Sequence, residues 1–234
     1  HLKSPVVTLL VGPPERETAI TAHQMFLSRS PYFQNIFLTS PTLTVQLPNE
    51  DLDAVGCFLQ FLYTGEYFPR IVKNPNGEEH LEKEIDDSSN EIDEDGNCLL
   101  KHARVYTLSE KLGVLELKHL AHAKIHRINS TAKGELAYAR YVYTNTSRED
   151  TTIRNPIASF WAHRSHILRH EAEEEFRRMV LEFPQFAYDI LSMVLDQKEK
   201  SNKDKGKDDR EDGESKALDR SKPGRKRPRL STLS

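Results

Sequence analysis

The chain has 234 residues and a mass of 26.9 kDa, enough for one large domain or two small ones. Charged residues make up 29 % and apolar residues 37 %, and the mean hydropathy of −0.65 indicates that part of the chain does not pack into a core. The net charge of −3 divides into −9 over residues 78–95, +4 over 196–234 and +2 over the rest, and this nearly neutral remainder argues against a nucleic-acid groove in the folded part.

The sequence also excludes several locations and covalent frameworks. Its longest apolar run, Val6–Val11, is far shorter than the roughly 18–20 residues of a membrane span, so no membrane partner is expected. No charged-then-apolar signal peptide opens the chain, and a start at His1 predicts a processed or incomplete N-terminus. Cys57 and Cys98 are too few for a disulfide framework or a cysteine-based zinc site, which favours an intracellular, reducing location.

The first predicted elements are a hairpin and two short helices. Val6–Val11 is apolar and β-branched and stops at a Gly-Pro-Pro turn, which predicts a strand, with residues 17–22 as its partner. His23–Ser28 is typical of one or two helical turns. Ser30 and Pro31 then predict a helix start, with Ser30 as the cap. The apolar residues on one side of that helix are Tyr32, Phe33, Ile36 and Phe37.

A strand and a longer helix are predicted next. Residues 42–47 alternate between polar and apolar, so Leu43, Val45 and Leu47 are expected to face a core. Asp51 lies at the start of the following helix, where the helix dipole favours an acid. The apolar positions of that helix are Leu52, Val55, Leu59 and Leu62. Gly65 is expected to end it in the left-handed conformation, and residues 66–71 are expected to form one more short strand.

An acidic segment interrupts this pattern. Residues 73–97 carry ten of the acids and show no sustained period, and such a charge block repels itself and buries little surface. We therefore predict a disordered insertion over about 73–97. It is expected to be a solvated loop, with pairing to the basic tail as the alternative.

Only helices are predicted after the insertion. Two apolar stripes flank Gly113, the first with Leu108, Leu112 and Leu115 and the second with Leu117, Leu120, Ala121, Ile125 and Ile128. Residues 132–143 and 155–170 predict two further helices, and Pro184 divides the apolar rhythm of 176–194 into two more. Beyond Leu195 large apolar residues become scarce. The sequence thus predicts an α+β fold with a helical C-terminal half.

The motifs in this order resemble a BTB/POZ domain. His23-Gln-Met-Phe-Leu27 and Ser30-Pro-Tyr-Phe33 are similar to the family's opening motifs, and Leu47-Pro-Asn-Glu-Asp51 to its next strand and helix start. Residues 58–65, which end in Tyr63-Thr-Gly65, resemble the family's "L-x-F-L-Y-T-G" motif, and residues 105–113 resemble its following helix. Residues 143–146 and 182–191 are similar to stand-alone fungal BTB proteins.

The resemblance implies a fold, a division of the chain and a class of function. The expected BTB/POZ fold is a small β-sheet flanked by helices over residues 1–128, followed by a helical extension over 129–195 and a disordered charged tail over 196–234. The family residues that match, in structural roles, are His23, Leu27, Ser30, Tyr32, Phe33, Leu47, Asp51, Tyr63 and Gly65. The implied function is non-catalytic protein–protein interaction, either self-association as a homodimer or recruitment of a partner. Contacts are expected at exposed apolar residues near Tyr32, Phe33, Ile36 and Phe37, several of which are themselves expected to belong to the core.

Two alternatives follow from the same resemblance, namely a cullin-3 ubiquitin-ligase adaptor and a transcriptional regulator. Cullin-binding members usually carry a hydrophobic-x-Glu triplet after the "S-P-Y-F" helix, but residues 38–42 contain no acid, which weakens that alternative. Long dimerising members exchange an extra N-terminal helix and strand. Only residues 1–5 precede the first strand, so an exchanged dimer would need residues before His1.

The remaining candidates for chemistry are histidines and cysteines. Two sets are spaced i, i+3, i+7: His119, His122 and His126, and His163, His166 and His170. Three imidazoles on one helical face suit zinc or copper, but each set interleaves with apolar positions and lacks the HExxH pattern, so surface histidines are favoured. His23 is expected to be buried at a strand–helix junction, and Cys57 to lie in the core. No catalytic, metal or cofactor site is predicted.

The C-terminal tail carries a short basic motif. Lys222, Arg225, Lys226, Arg227 and Arg229 place five cations in eight residues with two prolines, which resembles a nuclear import signal. The alternative is a generic basic tail that raises solubility or touches RNA. We therefore expect an intracellular protein that is nuclear if the signal acts and cytoplasmic otherwise.

Overall fold

The computed structural model describes residues 3–40, 43–82 and 92–211, with the backbone alone for 165–169 and 201–211. Its strands are β1 (Val6–Val11), β2 (Thr18–His23), β3 (Thr44–Leu47), β4 (Ile71–Lys73) and β5 (Glu79–Leu81). Its helices are α1 (Gln24–Leu27), α2 (Pro31–Thr39), α3 (Leu52–Thr64), α4 (Asn97–Leu112), α5 (Leu115–Ile125), α6 (Ala132–Asn145), α7 (Thr151–Glu171), α8 (Glu173–Glu182) and α9 (Pro184–Glu211). Within these ranges no helix is both long and apolar enough to cross a membrane.

The N-terminal sheet has β1 at its centre. β2 runs antiparallel to β1, with Val7 opposite Ala22, and β3 runs parallel to it, with Leu9 opposite Val45. Since side chains alternate across a strand, β1 buries Val7, Leu9 and Val11 on one face. The predicted hairpin and the strand after it are confirmed. Leu43 was expected to face the core but is exposed, because β3 begins only at Thr44.

Helix α3 follows the predicted pattern closely. The Asp51 carboxylate accepts a hydrogen bond from the Ala54 amide at 3.0 Å, which satisfies one of the unpaired amides of the first turn. Val55, Leu59 and Leu62 are buried, whereas Leu52 in the first turn is exposed. Gly65 ends the helix with a φ of 80°, the left-handed conformation expected from the sequence.

The remaining helices confirm the predicted series. α4 and α5 pack as a pair on either side of Gly113, and α6 packs on α4. Arg154 of α7 closes the end of α6, because its guanidinium donates to the carbonyls of Thr146 at 2.6 Å and Tyr143 at 3.3 Å. The aromatic core of this half centres on Trp161, whose ring stacks on Phe176 with centroids 5.2 Å apart.

The chain divides into two compact units, which differ from the domains expected from the sequence. One unit covers residues 1–193 and the other covers residues 194–234. The boundary predicted at 128/129 falls inside the first unit, where α6 packs on α4 across it. The BTB-like region and the helices after it therefore share one folded body.

The insertion that the sequence predicts to be disordered, over 73–97, contains paired residues at both of its ends. β4 and β5 form a two-stranded hairpin, with Val72 opposite His80. At the other end, the Asp93 amide donates to the Asn129 carbonyl at 2.8 Å, and the Ser130 hydroxyl donates to the Asp93 carbonyl at 2.6 Å. Backbone pairing with distant segments orders these residues despite their charge. Residues 83–91 lie outside the described residues.

The first part of the tail that the sequence predicts to be disordered, over 196–234, has a helical backbone. α9 continues through Glu211, so residues 196–211 are helical. This part of the chain is rich in Lys, whose intrinsic helix propensity is high, so the backbone extends the helix although large apolar residues are lacking. Residues 212–234 lie outside the described residues, and so does the predicted import motif at 222–229.

Candidate interaction surface

His23 and Tyr63 join β2 to α3 at the protein surface. The Tyr63 hydroxyl accepts the His23 backbone N–H at 2.9 Å and lies 2.7 Å from His23 Nδ1. The hydroxyl can donate to Nδ1 or accept from it, so this contact forms with either tautomer of the imidazole. The ring is half-buried between Phe26 and Tyr63, not enclosed as the sequence predicts, since this junction lies at the edge of the molecule.

A patch of exposed apolar side chains surrounds this pair. Val6, Met25 and Tyr63 are 50 %, 48 % and 40 % exposed, and Phe26 stacks on Tyr63 with centroids 4.1 Å apart. Val6 lies opposite His23 in the sheet, which brings the start of β1 beside α1 and the end of α3. We call Val6, Met25, Phe26 and Tyr63 the Met25 patch. Contiguous apolar surface of this kind is typical of sites that contact another protein.

The Met25 patch lies on a fixed backbone. The Gln24 amide donates to the Pro5 carbonyl at 2.8 Å, and the Met25 amide donates to the Ser4 hydroxyl at 3.0 Å. Tyr63 is held by its two contacts with His23. A partner therefore meets side chains on a backbone that is already held in place, which lowers the entropy cost of association.

The contact residues predicted on α2 mostly serve the core. Phe33 is fully buried and lies 6.0 Å from Phe58 and 6.2 Å from Phe37, measured between ring centroids. Tyr32, Ile36 and Phe37 are half-buried around it. Phe33 is therefore one of the residues of this set that belong to the core, because α2 directs its ring inward against α3.

Three other family residues lie in the interior or hold a helix end, and Ser30 acts differently from the expectation. Leu27 and Leu47 are buried, and Asp51 caps α3 and pairs with Arg104 at 3.3 Å. The Ser30 hydroxyl makes no cap on α2. Instead it donates to the Leu112 carbonyl at 2.6 Å, at the end of α4. Ser30 thus connects α2 to α4, a contact that local sequence does not reveal.

A second exposed apolar residue, Leu38, lies at the end of α2. It is 86 % exposed, and Leu43 beyond it is also exposed. The stretch from Leu38 to Thr42, which follows the "S-P-Y-F" helix, contains no acid. Residues 41 and 42 lie outside the described residues.

The titratable groups inside the fold are held in unreactive states. His102 is buried with its Nδ1 2.8 Å from the Tyr67 hydroxyl, and burial lowers its pKa to about 3. Burial also raises the pKa of the Cys57 thiol, which lies beside a cavity of about 470 Å³ between β2 and α3, so this thiol stays protonated at neutral pH. Across the described residues, no three side chains of His, Cys, Asp or Glu are grouped to hold a metal ion.

The histidine sets are only partly brought together. His122 and His126 face each other with Nε2 atoms 3.1 Å apart, whereas His119 is exposed. His163 Nδ1 lies 2.7 Å from the Ser159 carbonyl within α7, and the side chain of His166 is outside the described part of the chain. The surface position predicted for these histidines therefore holds for His119, His126, His163 and His170, while His122 is half-buried.

Comparison with known proteins identifies the N-terminal part. The family model of the BTB/POZ domain matches residues 7–83, from β1 through the hairpin of β4 and β5. No curated protein matches the chain. The small sheet flanked by helices and the helices that follow it agree with the fold expected from the sequence motifs. The chain therefore carries a BTB/POZ domain, a protein-interaction module, at residues 7–83.

Proposed function

We propose that this protein is a non-catalytic interaction module that self-associates through the Met25 patch. BTB/POZ domains are protein-interaction modules, and this patch gathers exposed apolar side chains from three elements of the domain. The observation that carries the proposal is the half-exposed Met25 on the fixed helix α1. A Met side chain is apolar and adaptable, so it suits the centre of a contact between two copies.

The test compares two full-length variants by sedimentation equilibrium. Met25→Glu places a charge at the centre of the patch, whereas Leu115→Glu places one on an exposed leucine of α5, outside it. We expect the wild type to approach twice the chain mass at high micromolar concentration. Met25→Glu should weaken self-association about tenfold or more, because an unpaired charge is costly to bury at an interface.

Leu115→Glu is the control for the added charge. Leu115→Glu should associate like the wild type. A wild type that stays monomeric at the highest concentration contradicts the proposal, as does an equal loss in both variants.

A second candidate function, a cullin-3 adaptor, is favoured by one observation. Leu38 is almost fully exposed in the stretch where cullin-binding members carry their triplet, although the glutamate of the triplet is missing. Adding purified cullin-3 to the same preparations separates the two functions. Binding by wild type and Met25→Glu alike, but not by Leu38→Ala, supports this candidate, and no binding beside a positive-control BTB protein removes it.

We also propose a nuclear location and a role as a nuclear regulator, supported by the basic motif at 222–229. Extended basic peptides that contain proline fit the acidic grooves of import receptors. This proposal is independent of the Met25 patch.

A further inference from the structure

One backbone carbonyl in α7 has lost its helical partner. In an α-helix the carbonyl of residue i accepts the N–H of residue i+4, and Pro156, four residues after Thr152, has no N–H. The Thr152 carbonyl therefore needs another partner. His122 of α5 provides it, with Nε2 3.0 Å from the Thr152 oxygen.

A second imidazole, that of His126, lies beside the His122 ring. His126 lies one turn after His122 on α5, and its Nε2 is 3.1 Å from His122 Nε2. The rings are nearly perpendicular, at 83°, and their centroids are 4.5 Å apart. The two histidines thus bring their Nε2 atoms together, at the i, i+4 spacing that zinc-binding histidine pairs use.

The distances from His122 Nε2 to the Thr152 oxygen and to His126 Nε2 resemble those between two ligands of one metal ion. Imidazole nitrogens bind zinc at 2.0–2.1 Å, so two ligands of a tetrahedral ion lie about 3.3 Å apart. The two separations measured from His122 Nε2, 3.0 and 3.1 Å, are close to that value. His126 is exposed, which leaves water free to occupy the remaining position.

We propose that His122, His126 and the Thr152 carbonyl form a binding site for a divalent ion of the zinc type, which links α5 to α7. Without the ion, the His122 Nε2–H donates to the carbonyl, and binding moves this proton to Nδ1.

The site is structural and not catalytic. Between the two histidines the sequence is Ala123-Lys-Ile125, without the glutamate that acts as the base in HExxH enzymes. The nearby cation Arg127 is already paired with Glu79, which limits its repulsion of the ion. A bound ion would link the predicted BTB region to the helical extension, because α5 belongs to the first and α7 to the second.

The test titrates the full chain with zinc chloride by calorimetry and follows thermal unfolding with and without zinc. A Cys98→Ser background removes the exposed thiol as a competing ligand. His126→Gln is the principal variant, since it deletes a ligand and leaves the hydrogen bond between His122 and Thr152. His119→Gln is the matched control, an exposed histidine of the same helix.

Zinc affinity and the change in Tm on adding zinc decide whether this site exists. We expect the background protein and His119→Gln to bind one zinc ion and to gain several degrees in Tm. His126→Gln should bind at least about tenfold more weakly and lose that gain. Equal binding by His126→Gln and the background protein, or no binding by the background protein at submillimolar zinc, overturns the proposal.

Discussion

The ammonium of Lys124 is enclosed within the protein. Its Nζ donates to the Glu66 carboxylate at 2.6 Å, to the Pro69 carbonyl at 2.7 Å and to the Tyr67 carbonyl, and lies 3.6 Å from the centre of the Tyr67 ring. Three acceptors and a ring face replace the hydration that burial removes. Lys124 thereby fixes the segment after α3 to α5.

Glu135 is the buried acid whose ionisation we expect to govern stability near neutral pH. Burial raises its pKa to about 7, with Asp93 adding to the rise and Arg164 opposing it. The folded state therefore holds a proton that the unfolded state releases near its ordinary pKa of 4.5. The stability due to this group is complete below pH 4.5 and is lost as the pH rises through 7.

Replacing Glu135 by Gln should abolish this loss. We expect Glu135→Gln to exceed the wild type in free energy of unfolding by about 2 kcal/mol at pH 8 and to match it near pH 5. Urea unfolding at the two pH values measures the difference. Glu116→Gln, at an exposed position on α5, should behave like the wild type at both. A deficit of Glu135→Gln that is equal at both pH values would show that ionisation is not the cause.

The contact between α4 and α6 is a backbone contact at the start of each helix. A Cβ on Gly134 would lie 2.7 Å from the Gly96 nitrogen and 2.2 Å from the Ser130 hydroxyl. Gly96 in turn has a φ of 79°, and a Cβ there would meet the Gly134 carbonyl oxygen at 2.5 Å. Two glycines are needed because the two helix starts come closer than any side chain allows.

Alanine at Gly134 should separate these helices. We expect Gly134→Ala to lose about 1–3 kcal/mol of unfolding free energy through overpacking. Gly56→Ala is the matched control, since a Cβ at this exposed position of α3 meets nothing within 4 Å. It should gain about 0.5–1 kcal/mol, because Ala favours a helix interior over Gly. Chemical unfolding checks both, and a neutral Gly134→Ala would refute the close contact.

The whole chain combines segments of opposite charge. The acidic stretch at 78–95 and the tail at 196–234 carry −9 and +4, while the rest is nearly neutral. The apolar Met25 patch lies on this neutral part, where self-association meets little long-range repulsion. Charge is thus concentrated away from the segments that form the proposed contact.

The basic motif should direct the chain to the nucleus. Changing Arg225, Lys226 and Arg227 to Ala removes three of its five cations, and we expect a fluorescent fusion to leave the nucleus. The control changes Lys203, Lys205 and Lys207 to Ala, which removes the same charge elsewhere in the tail. This fusion should remain nuclear. Fluorescence imaging of the two fusions measures their nuclear fraction. An unchanged distribution of the first variant would contradict an import function of the motif.

The order and type of most elements outside residues 66–97 follow from sequence alone. Alternation predicts β3, helical spacing predicts α3 to α9, and the turn residues Gly65 and Gly113 mark two helix ends. These signals are local, because a strand or helix exposes its period and its caps within a few residues. The family motifs depend on the same local pattern, so they too were predictable.

Tertiary structure decided the features that depend on distant partners. Lys124 looks like a surface lysine until Glu66 and the carbonyls after α3 enclose it, and Asp93 is ordered only by the segment near Asn129. Met25 was part of a motif, yet its exposure depends on how α1 lies against α3 and β1. His122 was one histidine among ten until Pro156 freed the carbonyl opposite it. Sequence specifies local geometry, whereas burial, pairing and exposure arise only when remote segments meet.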